Sequence, residues 1–315
     1  MERFVESSPT VALFVFNRPE TTRKVIESLR EVRPESLLVV SDGPRHHNKM
    51  DVEQCDATRR VIEEIDWKCE VHRNYAEENL GLGRRVATGL DWVFSLVDRA
   101  IILEDDCIVH PTFFRFCDEL LDRYADDERV MHIAASNFQR GRRRTPESYY
   151  FSKYPHCWGW ASWRRAWKHF DFEMADWPQR RGDWLASVLP RRSERRFWEN
   201  VLDDCYQMRS NTWAARWVYA CWKHNGLTAI PERNQVQNVG FGASATHTRG
   251  DSWQSRMPSL PVEFPLRHPE FITRHEPADE FTHEVIFRQS WSEMFLNKFR
   301  HVSGMEYNHN TPDAV

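Results

Sequence analysis

Short apolar runs alternate with segments of helical spacing through the first 136 residues of this chain. Residues 10–16 read as a strand, and residues 20–30, which follow Pro19, read as a helix. The apolar run at 37–41 is again of strand type, and a charged helix over about 51–65 leads to a weaker strand over about 69–74. Within 82–97, Val86, Leu90, Val93, Phe94 and Val97 fall on one helical face. A strand at 100–103, a helix at 111–124 with Pro111 at its first position, and a strand at 130–134 complete the series. Such alternation predicts an α/β fold with a mostly parallel central sheet and helices on both faces.

After residue 140 the rhythm changes. Helices are expected near 162–170, 193–208 and 213–224, and a short strand at 227–230, in a less regular, aromatic-rich half. No internal repeat shows, and no linker cuts the chain. Residues 1–136 and 137–259 therefore read as two halves of one domain, with 260–315 as a tail, rich in Pro and His, that wraps the surface.

Composition narrows the partners. The chain has 315 residues, is 29% charged and carries a net charge of −4, which gives no general pull toward nucleic acid or anionic membranes. Local basic clusters at 140–144 and 191–196 read as solvated loops and helix faces. Seven cysteines without a CxxC pair make neither a disulfide framework nor a zinc spacing, so a cytoplasmic location is expected. No window approaches the roughly 20 apolar residues that cross a bilayer, which leaves at most peripheral contact at the inner membrane face. The 14 tryptophans concentrate between Trp158 and Trp222. Most read as core fillers; a minority, with Trp158 and Trp160 as candidates, could offer a flat platform to an acceptor.

The candidate chemistry sits where the run Ile101-Ile102-Leu103 ends in Glu104, Asp105 and Asp106. Adjacent anions push each other's pKa values up unless a cation offsets them. A divalent cation bridging to a diphosphate is one solution, and in open α/β sheets ligands bind at the carboxyl ends of strands. The plainer reading has the acids solvated and serving the helix that begins near Pro111. Two earlier strand ends add weight to the first: Phe16-Asn17-Arg18-Pro19 and Ser41-Asp42-Gly43-Pro44-Arg45. An Asp there can accept the imide N–H of uracil and an Arg can hold a phosphate, although Asp-Gly-Pro is also a common turn. Asn79-Leu80-Gly81-Leu82-Gly83-Arg84-Arg85 places glycines before a helix, an anion-friendly arrangement that makes Arg84 a candidate ligand. It lacks both the dinucleotide fingerprint and the Walker lysine.

Three stretches carry a resemblance. Residues 101–114 join a strand to Glu-Asp-Asp and then to His110-Pro111-Thr112-Phe113-Phe114; Pro155-His156-Cys157-Trp158-Gly159-Trp160 precedes a predicted helix; and Pro231-Glu232-Arg233-Asn234 leads into residues 238–248. In this order, over about 8–250, the chain resembles the GT-A (Rossmann-like) glycosyltransferases, within them the group similar to N-acetylglucosaminyltransferase I and related bacterial sugar-nucleotide transferases. The resemblance implies a metal-dependent, inverting transfer of a sugar from a nucleoside diphosphate sugar, UDP-linked by preference, to a hydroxyl of a glycan or lipid-linked glycan, in surface polysaccharide or lipopolysaccharide synthesis. It implies that Arg18 and Asp42 hold the base and ribose, that Asp105 meets the ribose or sugar, that Glu104 orients the donor sugar, and that Asp106 binds Mn²⁺ or Mg²⁺. It further implies a closing loop from Gly240 through Gly242 and Ser244 to Thr248, with His247 near the phosphates or metal. Where the family's inverting members place an aspartate base, this chain has Thr212-Trp213-Ala214. Asp203 or Asp204 could supply the base, or both could be solvated helix acids. Two rivals stay open: a nucleotidyltransferase that makes the sugar nucleotide, and a binding protein that has lost its base.

Overall fold

The computed structural model describes residues 10–240 and 253–287. Its first half follows the expected alternation: β1 (Val11–Val15), α1 (Pro19–Val32), β2 (Ser36–Ser41), α2 (Lys49–Ile62), β3 (Glu70–Tyr75), α3 (Leu82–Leu96) and β4 (Arg99–Glu104). Next come β5 (Cys107–Val109), α4 (Thr112–Arg123), β6 (Val130–Ala134), β7 (Tyr149–Ser152), β8 (Trp160–Trp163) and the short α5 (Arg164–Trp167). The remaining elements are α6 (Trp177–Arg180), α7 (Asp183–Val188), α8 (Arg192–Tyr206), α9 (Ala214–Lys223), β9 (Leu227–Pro231), β10 (Val236–Asn238) and α10 (Glu276–Thr282). The fold is mixed α/β around an eight-stranded sheet of order β3-β2-β1-β4-β8-β6-β9-β7. Strands β1 to β4 are mutually parallel, β8 runs antiparallel between β4 and β6, and β7 runs antiparallel to β9.

Every residue of β1 is buried, as a strand covered on both faces must be. The period of two divides it. Val11, Leu13 and Val15 enter a core with Val25, Ile26 and Leu29 of α1 and with Phe113, Phe116 and Leu120 of α4. Ala12 and Phe14 enter the opposite core with Val86, Leu90, Val93 and Phe94 of α3. A third core, holding Tyr154, Trp177, Trp198, Trp222 and Phe287, joins the later helices to one another.

Four strands lie outside the sequence expectation: β5 and β10, which pair in a separate ribbon, and β7 and β8 of the main sheet. A helix is predicted to start at Ser162, but Trp160–Trp163 is β8, at the centre of the sheet, and the helix that follows is four residues long. Its alternation explains this: Ala161 and Trp163 face the first core and Trp160 the second, while the Ser162 hydroxyl donates to the Met131 carbonyl at 2.8 Å. Strand β7 closes the far edge against β9 and holds the later chain. The Ser148 amide donates to the Arg267 carbonyl at 2.8 Å, and buried Asp279 of α10 accepts from the Ser152 hydroxyl at 2.5 Å.

Gly89 of α3 lies close against the sheet at β1 and β2. A Cβ there would lie 2.6 Å from Phe14 and 2.6 Å from Val40. Ala normally stabilises a helix over Gly by about 1 kcal/mol, whereas overpacking costs about 1–3 kcal/mol. Gly89→Ala is therefore expected to lower the urea midpoint, and a raised midpoint would show that the sheet yields there.

Candidate functional site

The chain steps outward from β1 to β2 and β3, then returns to the other side of β1 as β4. Beyond the carboxyl ends of strands at such a reversal is where open α/β sheets bind ligands, which here means the ends of β1 and β4. Phe14 of β1 pairs with Glu104 of β4, so the segments Phe16-Asn17-Arg18 and Asp105-Asp106 leave the sheet side by side. The Phe16 amide donates to Asp105 Oδ2 at 3.3 Å. Arg18 Nη1 lies 2.9 Å from Asp106 Oδ2 and 3.5 Å from Asp105 Oδ1. The structure thus brings Arg18, Asp105 and Asp106 together, with Glu104 at the end of the same strand, and directs Arg18 to the acids instead of toward Asp42.

Burial, followed by the neighbouring charge of Asp106, pushes the Asp105 carboxyl up to about 7, although Arg18 and the Phe16 amide work against the rise. Strands β5 and β10 form a separate two-stranded ribbon that fixes the next layer. Through it the Val239 amide donates to the Asp106 carbonyl at 2.8 Å, and Asn238 Nδ2 donates to Asp106 Oδ1 at 3.3 Å. Gly240 follows, its amide donating to Asn238 Oδ1 at 2.8 Å; a Cβ at this position would stand 2.1 Å from Asp106 Oδ2. Here glycine is required for close approach. Gly242, Ser244 and His247 lie outside the described residues. Among the described residues, no three His, Cys, Asp or Glu side chains gather as a metal cluster.

At the end of β2 two acids organise the loops. Asp42 accepts from the amides of Gly43 (2.9 Å), Leu80 (2.9 Å) and Gly81 (3.2 Å) and from Asn79 Nδ2 (3.0 Å). A carboxylate with four donors already in place acts first as the clamp of the 79–81 turn. Asp51, which the sequence reading missed, accepts from Asn17 Nδ2 at 2.9 Å and from Arg45 Nε at 2.5 Å and Nη2 at 2.9 Å. Hydrogen bonding from Arg45 holds its carboxyl below the usual range despite some burial. It also bonds Asn48, which caps α2, so Asn48-Lys49-Met50-Asp51 was the signal available. The Arg45 guanidinium lies 5.4 Å from the Phe16 ring centroid.

Several expected site residues have other roles. Arg84 is exposed, packing its guanidinium 5.0 Å from the Phe172 ring and 3.6 Å from Glu173. Arg85 is the one that turns inward, donating to the Ser41 carbonyl at 3.1 Å and to Asn74, because it shares a helical face with Gly89. Trp160 is fully buried, stacked on His132 at 4.7 Å and on Trp213 at 5.5 Å, so it cannot serve as an acceptor platform. Trp158 is half-buried, edge-on to Phe138 at 5.3 Å. Asp203 accepts from Trp177 Nε1 at 2.9 Å and pairs with Arg181 at 2.8 Å. Asp204 pairs with Arg209 at 2.6 Å. Both carboxylates thus brace the helical half, and among the described residues neither has a hydrogen bond or ion pair to the end of β4.

No family model matches the chain, and no curated protein does. Solved structures similar to it include mouse xyloside xylosyltransferase 1 in its apo form, 14% identical over 70% of this chain and 84% of that one, with a TM-score of 0.36. Another is mannose-1-phosphate geranyltransferase from Thermus thermophilus, 11% identical over 72% and 75%, with a TM-score of 0.37. A UDP-glucose pyrophosphorylase complexed with UDP-glucose is 12% identical over 51% and 78%, with a TM-score of 0.31.

Two predictions separate structure from binding. Asp42→Ala is expected to destabilise the ligand-free protein by about 2 kcal/mol, because the buried Gly43 amide and the part-buried Leu80 and Gly81 amides lose their acceptor; unchanged stability in a urea titration would leave base reading as the main role of Asp42. Asp105, whose folded value of about 7 lies above the ordinary 3.8, binds a proton in the fold that the unfolded chain has lost. Its contribution to stability therefore falls as pH rises between those values. Asp105→Asn should melt higher than the parent at pH 8, with the difference shrinking steadily as pH falls toward 3.8; an equal difference at pH 8 and pH 4 would refute the assignment.

Proposed function

We propose that this protein is a metal-dependent glycosyltransferase that takes a sugar from a UDP-sugar donor to an acceptor hydroxyl. The observation that carries the reading is the convergence of Arg18, Asp105 and Asp106 at the β1/β4 switch point. A cation-bearing side chain and two carboxylates there suit a diphosphate on one side and a hard cation on the other. The donor set fits Mn²⁺ or Mg²⁺, since it is all oxygen and its charge exceeds what Arg18 alone balances. Asp106, with Asp105 behind it, would hold the ion, which when bound supplies charge neutralisation at the diphosphate leaving group.

The remaining roles belong to the protein itself. Arg18 provides a guanidinium that can fork onto phosphate oxygens, and Phe16 with Arg45, braced by Asp51, frames the space beyond β1 and β2 for the base. Asp42 sets the Asn79-Leu80-Gly81 wall of that space. Glu104 closes the donor-sugar side. Gly240 lies against Asp106, and by resemblance Gly242, Ser244 and His247 complete the phosphate side. Inversion needs a proton acceptor at the acceptor hydroxyl, a role that the ion pairs of Asp203 and Asp204 make unsuitable for them. A glycan or lipid-linked glycan acceptor, reached from the cytoplasmic face of a membrane, follows from the same resemblance. Among the described residues no helix is long and apolar enough to cross a membrane.

The decisive measurement is a panel of nucleotide sugars with Mn²⁺, scored for the phosphate product. Release of UDP, by transfer or slow hydrolysis, is expected, and Asp106→Asn should reduce it at least about a hundredfold, the scale of losing electrostatic stabilisation in a transition state. Formation of UTP when pyrophosphate is added would instead identify a nucleotidyltransferase.

A further inference from the structure

The strand-end acids already have a cation on them, and it is part of the chain. Arg18 stands at the start of α1, and its backbone is pinned: its carbonyl accepts from the Thr22 amide at 3.0 Å and from the Thr22 hydroxyl at 2.8 Å. Pro19 fixes the next φ. Only the side chain is left to move. One nitrogen, Nη1, reaches both carboxylates, at 2.9 Å to Asp106 and 3.5 Å to Asp105. The oxygen it touches on Asp106, Oδ2, is also the one that Gly240 approaches. With Asn238 Nδ2 on Oδ1 at 3.3 Å, both oxygens of Asp106 have a partner.

We propose that Arg18 is a built-in competitor for the metal: it occupies Asp106 Oδ2 while the donor site is empty and moves to the donor diphosphate when metal and nucleotide bind together. The inference rests on the reading of Asp105 and Asp106 as metal ligands. Its logic is electrostatic. A divalent cation and a guanidinium on one oxygen repel each other, so metal binding must displace Arg18 from Asp106. A diphosphate offers the displaced guanidinium a bidentate partner. Metal alone therefore binds weakly, metal with nucleotide binds tightly, and the coupling passes through one side chain. Arg18 in this role is a positioning residue that makes an ordered, joint loading of the site favourable and keeps loose cations off it.

The test measures metal binding and needs no turnover. Mn²⁺ affinity is titrated by electron paramagnetic resonance, with and without UDP, for the parent chain, Arg18→Ala, the bulk-retaining Arg18→Gln, and Arg23→Ala as a control one turn further along α1. Removing a competing state that holds about nine molecules in ten raises the apparent affinity about tenfold. Both Arg18 variants are expected to bind Mn²⁺ about tenfold more tightly than the parent without UDP and to lose most of the gain that UDP brings; Arg23→Ala should match the parent. Equal or weaker Mn²⁺ binding by folded Arg18 variants, with the parent still binding Mn²⁺ in the presence of UDP, overturns the competition alone. A parent chain that binds no Mn²⁺ even with UDP overturns the metal reading and the competition together.

Discussion

Negative charge at the end of β4 is the constraint around which the site is arranged. Leu103 is fully buried and Asp105 nearly so, which leaves the Asp105 carboxylate with little water to screen it, while Glu104 and Asp106 are only partly buried. Arg18 can answer that charge only because β1 and β4 pair in parallel, so that the segments after Phe14 and Glu104 emerge together. Pro19 turns the chain into α1 immediately afterwards, and the guanidinium is thereby delivered within reach of both acids. The sheet topology and the electrostatics are thus one requirement: had β4 been placed beyond β3, the acids and their counterion would sit at opposite edges.

The loops around the site are held by the same device used in a different sense. Asp42 and Asp51 are buried or nearly so, and each is encircled by donors from chain segments that lack regular structure. Each replaces water around a carboxylate with fixed amides, amide side chains or a guanidinium, and in doing so sets the shape of a turn before any ligand arrives. A site assembled this way loses little conformational entropy on binding. On the helical side, tryptophan N–H groups do comparable work: Trp163 donates to the Leu121 carbonyl, Trp167 to Asp91 and Trp222 to the Lys153 carbonyl. Burial pushes the His132 imidazole down to about 3, so the ring is neutral. Trp217 Nε1 donates to its Nδ1 at 3.1 Å, which leaves the proton on Nε2 to donate to the His156 carbonyl at 3.0 Å.

Much of the fold was legible because its signals are local. Buried parallel strands write themselves as apolar runs, and α1, α3, α4, α8 and α9 each carry apolar positions at helical spacing. The acids of β4 were legible for the same reason, as an abrupt change of polarity at a strand end. What escaped depends on distant partners. Four-residue strands such as β7 and β8 are too short for a periodic signal, and β8 was hidden by the helix pattern behind it. Choosing Arg84 over Arg85 required knowing which side of α3 meets β2. Asp203 looked available on a helix face, yet Trp177, 26 positions earlier in the chain, folds back onto it. Trp160 drew attention as an aromatic in a motif, and only the sheet shows that it points into a core.

The ribbon of β5 and β10 adds a last link between charge and architecture. Residue Asp106 belongs to the turn between β4 and β5, and both its carbonyl and its carboxylate are read by the opposite strand's exit, through Val239 and Asn238. A change in what Asp106 binds is therefore felt at the point where the chain leaves β10 for Gly240. Because Gly240 has no side chain to keep it away, the backbone there rests directly against Oδ2. An occupant of that oxygen larger than a hydrogen-bond donor must either share the space or move the chain. Charge at the end of β4 is in this way coupled mechanically to Gly240, the residue just beyond Val239 and β10.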